Sequence, residues 1–117
     1  MVKRAGQLKY ILIDAEDSEA VAQFWSRALG RPVGKRYGPF IELEAPAGAV
    51  GVTIQRVPKR TSGKNNIHFD LQTDDLDASE AYIVEMGGRL VEVQRQGRWE
   101  WRIMADPEGN VFCLVMS

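Results

Sequence analysis

The sequence is poor in cysteine, histidine and long apolar runs, and each shortage narrows the class of protein. It holds one cysteine among 117 residues, Cys113, which cannot form an internal disulfide, so the fold needs no oxidising compartment. Its longest apolar stretches, such as residues 111–116, are far shorter than the roughly 20 residues that span a bilayer. Residues 1–7 are polar and lack the apolar core of a secretion signal. We therefore expect a cytoplasmic protein that does not bind a membrane.

An excess of charge of either sign is also missing. The chain has 15 Lys and Arg against 16 Asp and Glu, a formal net charge of -1. This balance gives no electrostatic reason to expect binding to nucleic acid. Basic residues do cluster at 58–60 and at Lys64, where a solvated loop is the simpler interpretation. A chain of this length with 44% hydrophobic residues predicts one globular domain.

What the sequence does contain is an internal repeat. Residues 11–17 resemble residues 69–75, which lie 58 positions later. The same offset superposes two pairs of glycines, Gly30 with Gly88 and Gly51 with Gly109. In each half a strand pattern precedes an acidic helix start, a glycine helix stop and three further strand patterns. We therefore predict two β-α-β-β-β repeats at about 7–57 and 66–117, joined by a linker at 58–65 within a single domain, 1–117.

Turn residues and caps set the expected boundaries of the elements. In the first repeat we expect a helix from Asp17 to Gly30 and strands at 8–14, 33–37, 40–44 and 51–56. In the second repeat we expect a helix at 75–86 and strands at 66–72, 89–94, 99–104 and 111–115. Helical spacing predicts that the first helix packs through one stripe, formed by Ala20, Val21, Phe24, Trp25, Ala28 and Leu29.

Strand alternation places polar side chains on one face of each sheet. In the strand at 66–72, Ile67, Phe69 and Leu71 should face the helix, which leaves His68 and Asp70 on the opposite side. The same alternation places Thr53, Gln55 and Cys113 opposite the helices. If the two sheets curve toward each other, these faces line a cavity suited to a small molecule. The alternatives are that the face is solvated or is covered by a dimer partner.

Three pieces of the sequence resemble one protein superfamily. They are Phe24-Trp25 with Ala28-Leu29-Gly30, the stretch Ile67-His68-Phe69-Asp70-Leu71 with Asp74-Asp75-Leu76, and residues 104–113 around the turn Asp106-Pro107-Glu108-Gly109-Asn110. Together they resemble the vicinal oxygen chelate superfamily, which includes glyoxalase I, extradiol dioxygenases and bleomycin-resistance proteins, and most of all its glyoxalase-like subgroup. The resemblance covers nearly the whole chain. It implies an α+β fold, with curved mixed sheets around a cavity and helices on the outside, and it implies a homodimer.

The resemblance also points to four positions where metal-using members take their ligands. On this chain they hold Tyr10, Gln55, His68 and Cys113. The set departs from the usual His and Glu, because Gln55 is a weak neutral ligand and Tyr10 is rarely a ligand at all. We therefore predict no metal and no other cofactor, with a divalent ion as the alternative. Without a metal, Tyr10, Gln55 and Cys113 are expected to contact the ligand, together with Thr53.

Proton transfer could be carried by His68 and Asp70. His68 is the sole histidine, and an ordinary imidazole pKa of about 6.5 allows proton exchange near neutral pH. Asp70 can act as a base if it lies in a partly dry pocket, or it can form a structural ion pair with Arg102 or Arg95. Trp99 and Trp101 alternate onto one face, either as a stacking wall for a planar ligand or as core.

These residues support three functional hypotheses. The first is a metal-independent glyoxalase-like protein that binds a small molecule, with His68 and Asp70 as catalytic residues of a lyase or isomerase type. The second is a drug-sequestering protein of the bleomycin-resistance type, which performs no chemistry. The third is a metal-dependent lyase, isomerase or dioxygenase. The ligand itself is not identified by the sequence.

Overall fold

The protein divides into two compact units, each built mainly on four strands and one helix. A computed structural model describes residues 3–60 and 66–117. One unit is Tyr10–His68, and the other joins the residues up to Lys9 to Phe69–Ser117. The expected linker at 58–65 lies partly outside the described residues. No helix among the described residues is long and apolar enough to cross a bilayer.

The order of elements matches the duplicated pattern. The first series is β1 (Gln7–Ala15), α1 (Ser18–Leu29), β2 (Val33–Tyr37), β3 (Phe40–Leu43) and β4 (Gly51–Arg56). The second series is β5 (Ile67–Thr73), α2 (Leu76–Glu85), β6 (Arg89–Gln96), β7 (Trp99–Ala105) and β8 (Val111–Met116). The expected α+β class with two β-α-β-β-β series is confirmed.

In the unit Tyr10–His68 a mixed sheet packs one face against α1. The strand order is β2-β3-β4-β1, with β1 and β4 parallel and the other pairs antiparallel. Apolar side chains from the sheet and the helix form its core, namely Ala15, Ala22, Ile41 and Ile54. Asp17 caps the helix start by accepting a hydrogen bond from the Ala20 amide, 3.1 Å away. Gly30 ends the helix in the left-handed region, at φ 67, where a side chain is disfavoured.

The face of α1 that meets the sheet is narrower than the predicted stripe. Ala22 is fully buried, and Val21 and Trp25 pack against the core. Trp25 was predicted as core, and that is confirmed. Phe24 was also expected to pack, but it is 62% exposed, so that expectation is wrong. The reason is geometric, because Phe24 lies beside the buried line and touches the edge of the Trp25 ring instead, at 5.2 Å between centroids.

The second unit repeats this layout around α2. Its strands run in the order β5-β8-β7-β6, with β5 and β8 parallel and the other pairs antiparallel. The core consists of Leu76, Ile83, Met104 and Leu114. Gly88 lies just after α2, where the backbone passes close to Ile83 of the helix and to Ala105 of β7. A Cβ there would lie 2.6 Å from Cγ2 of Ile83 and 2.8 Å from the Ala105 carbonyl oxygen, so only glycine fits.

The N-terminal residues are part of this second unit. The Ser79 hydroxyl of α2 donates a hydrogen bond to the carbonyl of Ala5. One helical turn later the Tyr82 hydroxyl donates to the carbonyl of Lys3, whose ammonium lies 4.3 Å from the centre of the Tyr82 ring. The chain therefore anchors its N-terminal segment on a helix that comes more than seventy residues later.

The apolar side of β5 is only partly covered. Leu71 packs in the core of the second unit, as predicted. Ile67 and Phe69 were expected to pack the same way, but they are 52% and 49% exposed. The helix α2 spans ten residues, and the core it covers includes only the C-terminal part of β5. The expected full burial of that strand face is therefore wrong.

Candidate functional site

The unit Tyr10–His68 presents polar side chains on the sheet face opposite α1. Ile13 and Ala15 of β1 belong to the helix-side core, so Leu12 and Asp14 point the other way. On the parallel neighbour β4, Thr53 is in register with Leu12 and Gln55 with Asp14. Both sequence-predicted residues of β4 therefore lie on this face. Thr53 is buried and Gln55 is half-buried.

Asp14 is the unexpected member of this face. Its Oδ1 is buried and has no hydrogen-bond partner among the described residues. Burial raises the pKa of the Asp14 carboxyl, and the positive charge that His68 can carry lowers it in part. A buried carboxylate oxygen without a donor costs free energy, on the order of 1–3 kcal/mol. Such an atom is suited to accept a hydrogen bond from a ligand.

His68, the sole histidine, lies near Asp14 and is half-buried. Burial lowers the pKa of the imidazole, and the nearby Asp14 carboxylate raises it in part. The dominant cause is burial, so the imidazole is neutral at pH 7. A neutral imidazole offers one N–H donor and one nitrogen acceptor, which suits it to exchange a proton with a ligand.

Asp70 follows two residues later on β5, so alternation places it on the same strand face as His68. Burial raises the pKa of its carboxyl to about 6. It is in register with Cys113 on β8, the sole cysteine of the chain, which is half-buried. A carboxyl group with such a pKa exchanges protons readily at neutral pH.

The sequence left open an ion pair between Asp70 and Arg102 or Arg95, and the structure contradicts it. Arg102 bonds three acids, with contacts of 2.8 Å to Asp77, 3.0 Å to Glu80 and 2.9 Å to Glu100. Arg95 bonds Glu100 at 2.8 Å. Arg102 follows Trp101 on β7 and Arg95 follows Gln94 on β6, so both arginines lie on the sheet face opposite Trp101 and Gln94. That face carries α2, so both side chains point away from Asp70.

The remaining predicted ligand contacts divide between the two units. Tyr10 is half-buried on β1, in register with Gly51. Trp101 is half-buried on β7 and in register with Gln94 of β6. Trp99 is 64% exposed at the start of β7, so the alternative that it fills a core is wrong. Trp101 therefore contributes more buried aromatic surface than Trp99.

Among the described residues one group of side chains could hold a metal ion. His68 and Asp70 of β5 and Cys113 of the paired strand β8 each offer one donor atom, and these atoms lie within 4.8 Å of one another. Imidazole nitrogen, carboxylate oxygen and thiolate sulfur are all zinc ligands, and three protein ligands are typical of catalytic zinc. Asp70, absent from the four family positions, makes this donor set stronger than the sequence suggested.

Sequence reasoning did not identify Asp14. The signal was present, because Asp14 stands between Ile13 and Ala15 in an apolar strand and alternates with Leu12. A buried carboxylate in the middle of an apolar strand costs free energy unless it is paired or hydrogen-bonded. The sequence pattern places it at the end of the strand, just before the acidic start of the helix.

Comparison with known families supports the resemblance that the sequence indicated. The model of the glyoxalase-like domain matches residues 10–115. The chain belongs to the glyoxalase-like domain family. This places it in the vicinal oxygen chelate superfamily and confirms the predicted family. A comparison with curated proteins gives no match.

Solved structures show the same fold at low sequence identity. The glyoxalase-like domain is similar to methylmalonyl-CoA epimerase from Mycobacterium tuberculosis, with a TM-score of 0.71 and 18% identity over 99% of this chain and 91% of that one. It is similar to the hypothetical protein BH1468 from Bacillus halodurans C-125, with a TM-score of 0.70 and 14% identity over 97% of this chain and 96% of that one. A glyoxalase/bleomycin resistance protein/dioxygenase superfamily member from Vibrio splendidus 12B01 is similar with a TM-score of 0.64. The identity is 16% over 92% of this chain and 97% of that one.

Proposed function

We propose that this glyoxalase-like domain binds a small molecule against His68 and Asp70 and transfers a proton on it. The observation that carries the proposal is the position of Asp70. This half-buried carboxyl has no ion-pair partner among the described residues and shares a strand face with the sole imidazole of the chain. Carboxyl groups with strongly shifted pKa values cluster at functional sites, and here burial, not an ion pair, causes the shift.

The chemistry that fits these groups is removal and return of a proton beside a carbonyl. Asp70, with a pKa of about 6, is ionised at pH 7 to 8 and can take the proton. Neutral His68 can donate its N–H to the carbonyl oxygen as negative charge develops there. The similarity to methylmalonyl-CoA epimerase is consistent with such a reaction, because an epimerase inverts one stereocentre of its substrate.

Deuterium exchange provides the test, because it requires no knowledge of the product. We would incubate the protein in D2O with a panel of 2-substituted thioesters and hydroxyketones and follow the α-proton by NMR. We expect exchange on at least one compound, reduced 100-fold or more in Asp70→Asn and in His68→Gln, since general acid–base catalysis contributes roughly 10²–10⁴-fold. Glu85→Gln, an exposed change on α2, is the matched control and should retain the rate.

The alternatives predict different results from the same material. A compound that binds without any exchange would support the sequestering function instead. Unchanged exchange in Asp70→Asn would contradict the role of Asp70. Absence of both binding and exchange across the panel would contradict the proposed class of ligand.

A metal-dependent reaction is the second candidate, favoured by the proximity of the donor atoms of His68, Asp70 and Cys113. A zinc ion held there would supply a Lewis acid that polarises a ligand oxygen. The proposal of a metal-independent protein is tested by elemental analysis after purification without chelator. One equivalent of metal in the wild type, lost in His68→Ala and in Cys113→Ser, would overturn it.

Two further expectations belong to this proposal. A homodimer is proposed from the family resemblance, and light scattering checks it, because a monomer has a mass of 13.1 kDa. A mass near that value at working concentration would contradict it. A cytoplasmic location is proposed because a single cysteine cannot form an internal disulfide, and detection of the protein in a secreted fraction would contradict that.

A further inference from the structure

Residues 3–6, which we call the strap, lie against α2 without forming a helix or strand of their own. The hydroxyls of Tyr82 and Ser79 donate hydrogen bonds to two strap carbonyls, those of Lys3 and Ala5. The Ala5 side chain also packs against the apolar core of the second unit. Both hydrogen bonds reach the strap backbone, so the docking depends on the path of the chain more than on its side chains.

The strap also touches β5, the strand that carries Asp70. A Cβ at Gly6 would lie 2.8 Å from the Gln72 carbonyl oxygen and 3.2 Å from the Cβ of Leu71, so the two backbones approach as closely as glycine allows. Leu71 and Gln72 follow Asp70 directly in the strand. The strap therefore contacts the stretch of β5 that sets the position of the Asp70 side chain.

A chain of hydroxyl groups joins the strap to the end of β5. Ser79 Oγ lies 2.7 Å from Thr73 Oγ1, and each hydroxyl has a single proton to donate. Because Ser79 donates its proton to the Ala5 carbonyl, Thr73 must be the donor between the two hydroxyls. Thr73 Oγ1 in turn accepts a hydrogen bond from the Asp75 amide, 3.2 Å away. The bonds run in one direction, from the N-cap of α2 through β5 to the strap, and hydrogen bonds linked in this way strengthen one another.

The same hydroxyls can form a second arrangement without the strap. Once Ala5 has left, the buried Ser79 hydroxyl needs another acceptor, since a buried donor without one is costly. If both hydroxyls turn, Ser79 donates to Thr73, and Thr73 donates to the Asp75 carbonyl oxygen, 3.4 Å from its Oγ1. That carbonyl accepts from the Ser79 amide and has a second lone pair. Each hydroxyl then keeps an acceptor, so release of the strap costs little more than the strap's own contacts.

We propose that the strap is a switch that regulates the site around Asp70 through β5. The inference rests on the proposed function, because Asp70 belongs to the proposed site. While the strap is docked, Gly6 limits the movement of the β5 backbone at Gln72. Release removes that limit and reverses the Thr73 hydroxyl, so the C-terminal half of β5 holds Asp70 less firmly. A ligand that requires the docked position of Asp70 therefore favours docking, and docking favours the ligand by the same factor.

Backbone hydrogen exchange, followed by mass spectrometry, tests the switch without any ligand. Ser79→Ala keeps a good helix former but removes the donor to Ala5, and we expect the β5 amides to exchange about fivefold faster or more, as loss of one hydrogen bond predicts. Tyr82→Phe removes the other donor and serves as the second variant if Ser79→Ala does not fold. Ser26→Ala is the matched control, because it removes a hydroxyl bond to a backbone carbonyl at α1, and it should leave β5 unchanged.

A merely stabilising role of the strap predicts a different pattern. Global unfolding would accelerate the slowest amides of the whole unit equally and with a steep dependence on urea, whereas release of the strap acts on β5 and on residues 3–9 with little dependence on urea. Equal acceleration throughout the unit would overturn the proposal. So would unchanged exchange of β5 in every folded variant among Ser79→Ala and Tyr82→Phe.

Cys113 reports on the site itself, because it is the sole thiol of the chain and is in register with Asp70. We expect iodoacetamide to alkylate it about threefold faster or more in Ser79→Ala than in Ser26→Ala, since a less firmly held strand opens more often. An unchanged rate, despite faster exchange of β5, would overturn the proposal, because release would then not reach the site. Neither measurement depends on turnover, so failure of the α-proton test would leave this result standing, and the reverse also holds.

Discussion

At the scale of single residues, the buried and half-buried charged groups fall into two kinds, those with oppositely charged partners and those without. Arg102 is held by three carboxylates, so its charge is compensated. Asp70 and the Oδ1 atom of Asp14 have no such compensation among the described residues. Uncompensated carboxylates lower the stability of the folded chain and are retained where function uses them. This contrast separates the candidate site from the structural ion network.

Asp70 should therefore destabilise the fold when it is ionised. Its pKa rises from about 3.9 in the unfolded chain to about 6 in the folded protein. The folded state favours the protonated form, so this contribution to stability is present below pH 4 and is lost as the pH rises through 6. We expect Asp70→Asn to be more stable than the wild type by about 1–2 kcal/mol at pH 8, with no difference from this group near pH 4.

Urea denaturation at the two pH values measures this effect, and Glu85→Gln is again the control. The expected stability difference is smaller than the full pKa shift would give, because Asp70 is partly exposed to solvent. A stability difference that is the same at pH 4 and pH 8 would show that Asp70 is not buried as described.

Asp14 should control the protonation of His68. The Asp14 carboxylate favours the charged imidazole, so it raises the pKa of His68 against the larger opposing effect of burial. Removing that charge in Asp14→Asn should lower the pKa of His68 further. Because the chain has one histidine, an NMR titration of the imidazole protons reads it without assignment. A pKa that stays the same or rises would contradict the placement of Asp14 beside His68.

At the scale of elements, each helix is fixed to its sheet by a different kind of contact. α1 relies on apolar packing around Ala22, and its ion pair with Arg36 is exposed. α2 has apolar packing as well, but Arg102 of β7 also reaches Asp77 and Glu80 on the helix with a side chain only 12% exposed. The buried arginine therefore links helix and sheet in the second unit in a way that the first unit lacks among its described residues.

Replacing Arg102 should be costly for this reason. Arg102→Met leaves Glu80 and Glu100 facing an apolar side chain, and we expect a loss of about 3 kcal/mol in the free energy of unfolding. Arg36→Met breaks an exposed pair, at 52% and 59% exposure, and should cost much less, because solvent screens such a pair. Equal losses in the two variants, measured by urea denaturation, would contradict this ranking.

Gly88 makes a second element-level prediction. A methyl group there would overlap Ile83 and the Ala105 carbonyl, so Gly88→Ala should destabilise the protein by about 2 kcal/mol or more. Gly30 is the comparison, because a Cβ at that position meets nothing within 4 Å. Gly30→Ala should cost only about 1 kcal/mol, from its left-handed backbone. If Gly88→Ala melts no lower than Gly30→Ala, the tight approach of β6 to α2 is wrong.

At the scale of the whole molecule, capping and turn residues and the spacing of apolar residues were enough to predict the order of elements. Asp17 and Asp75 cap their helices as predicted, because capping depends on residues within three positions. Side-chain exposure was harder to predict, as Phe24 and Phe69 show, because it depends on how far a helix reaches across its sheet. Asp14 was missed for the same reason, since its importance depends on a neighbour more than fifty positions away.

The attachment of residues 3–9 to α2 has a consequence for synthesis on the ribosome. The unit Tyr10–His68 is continuous in sequence, so all of its residues have left the ribosome before the second half is complete. The other unit joins the residues up to Lys9 to Phe69–Ser117, so it cannot be complete until β8 has been made. Its N-terminal residues must wait for α2, where Ser79 and Tyr82 bind Ala5 and Lys3. Folding of the nascent chain is therefore expected to proceed in two stages, with Tyr10–His68 first and the unit that contains Phe69–Ser117 second.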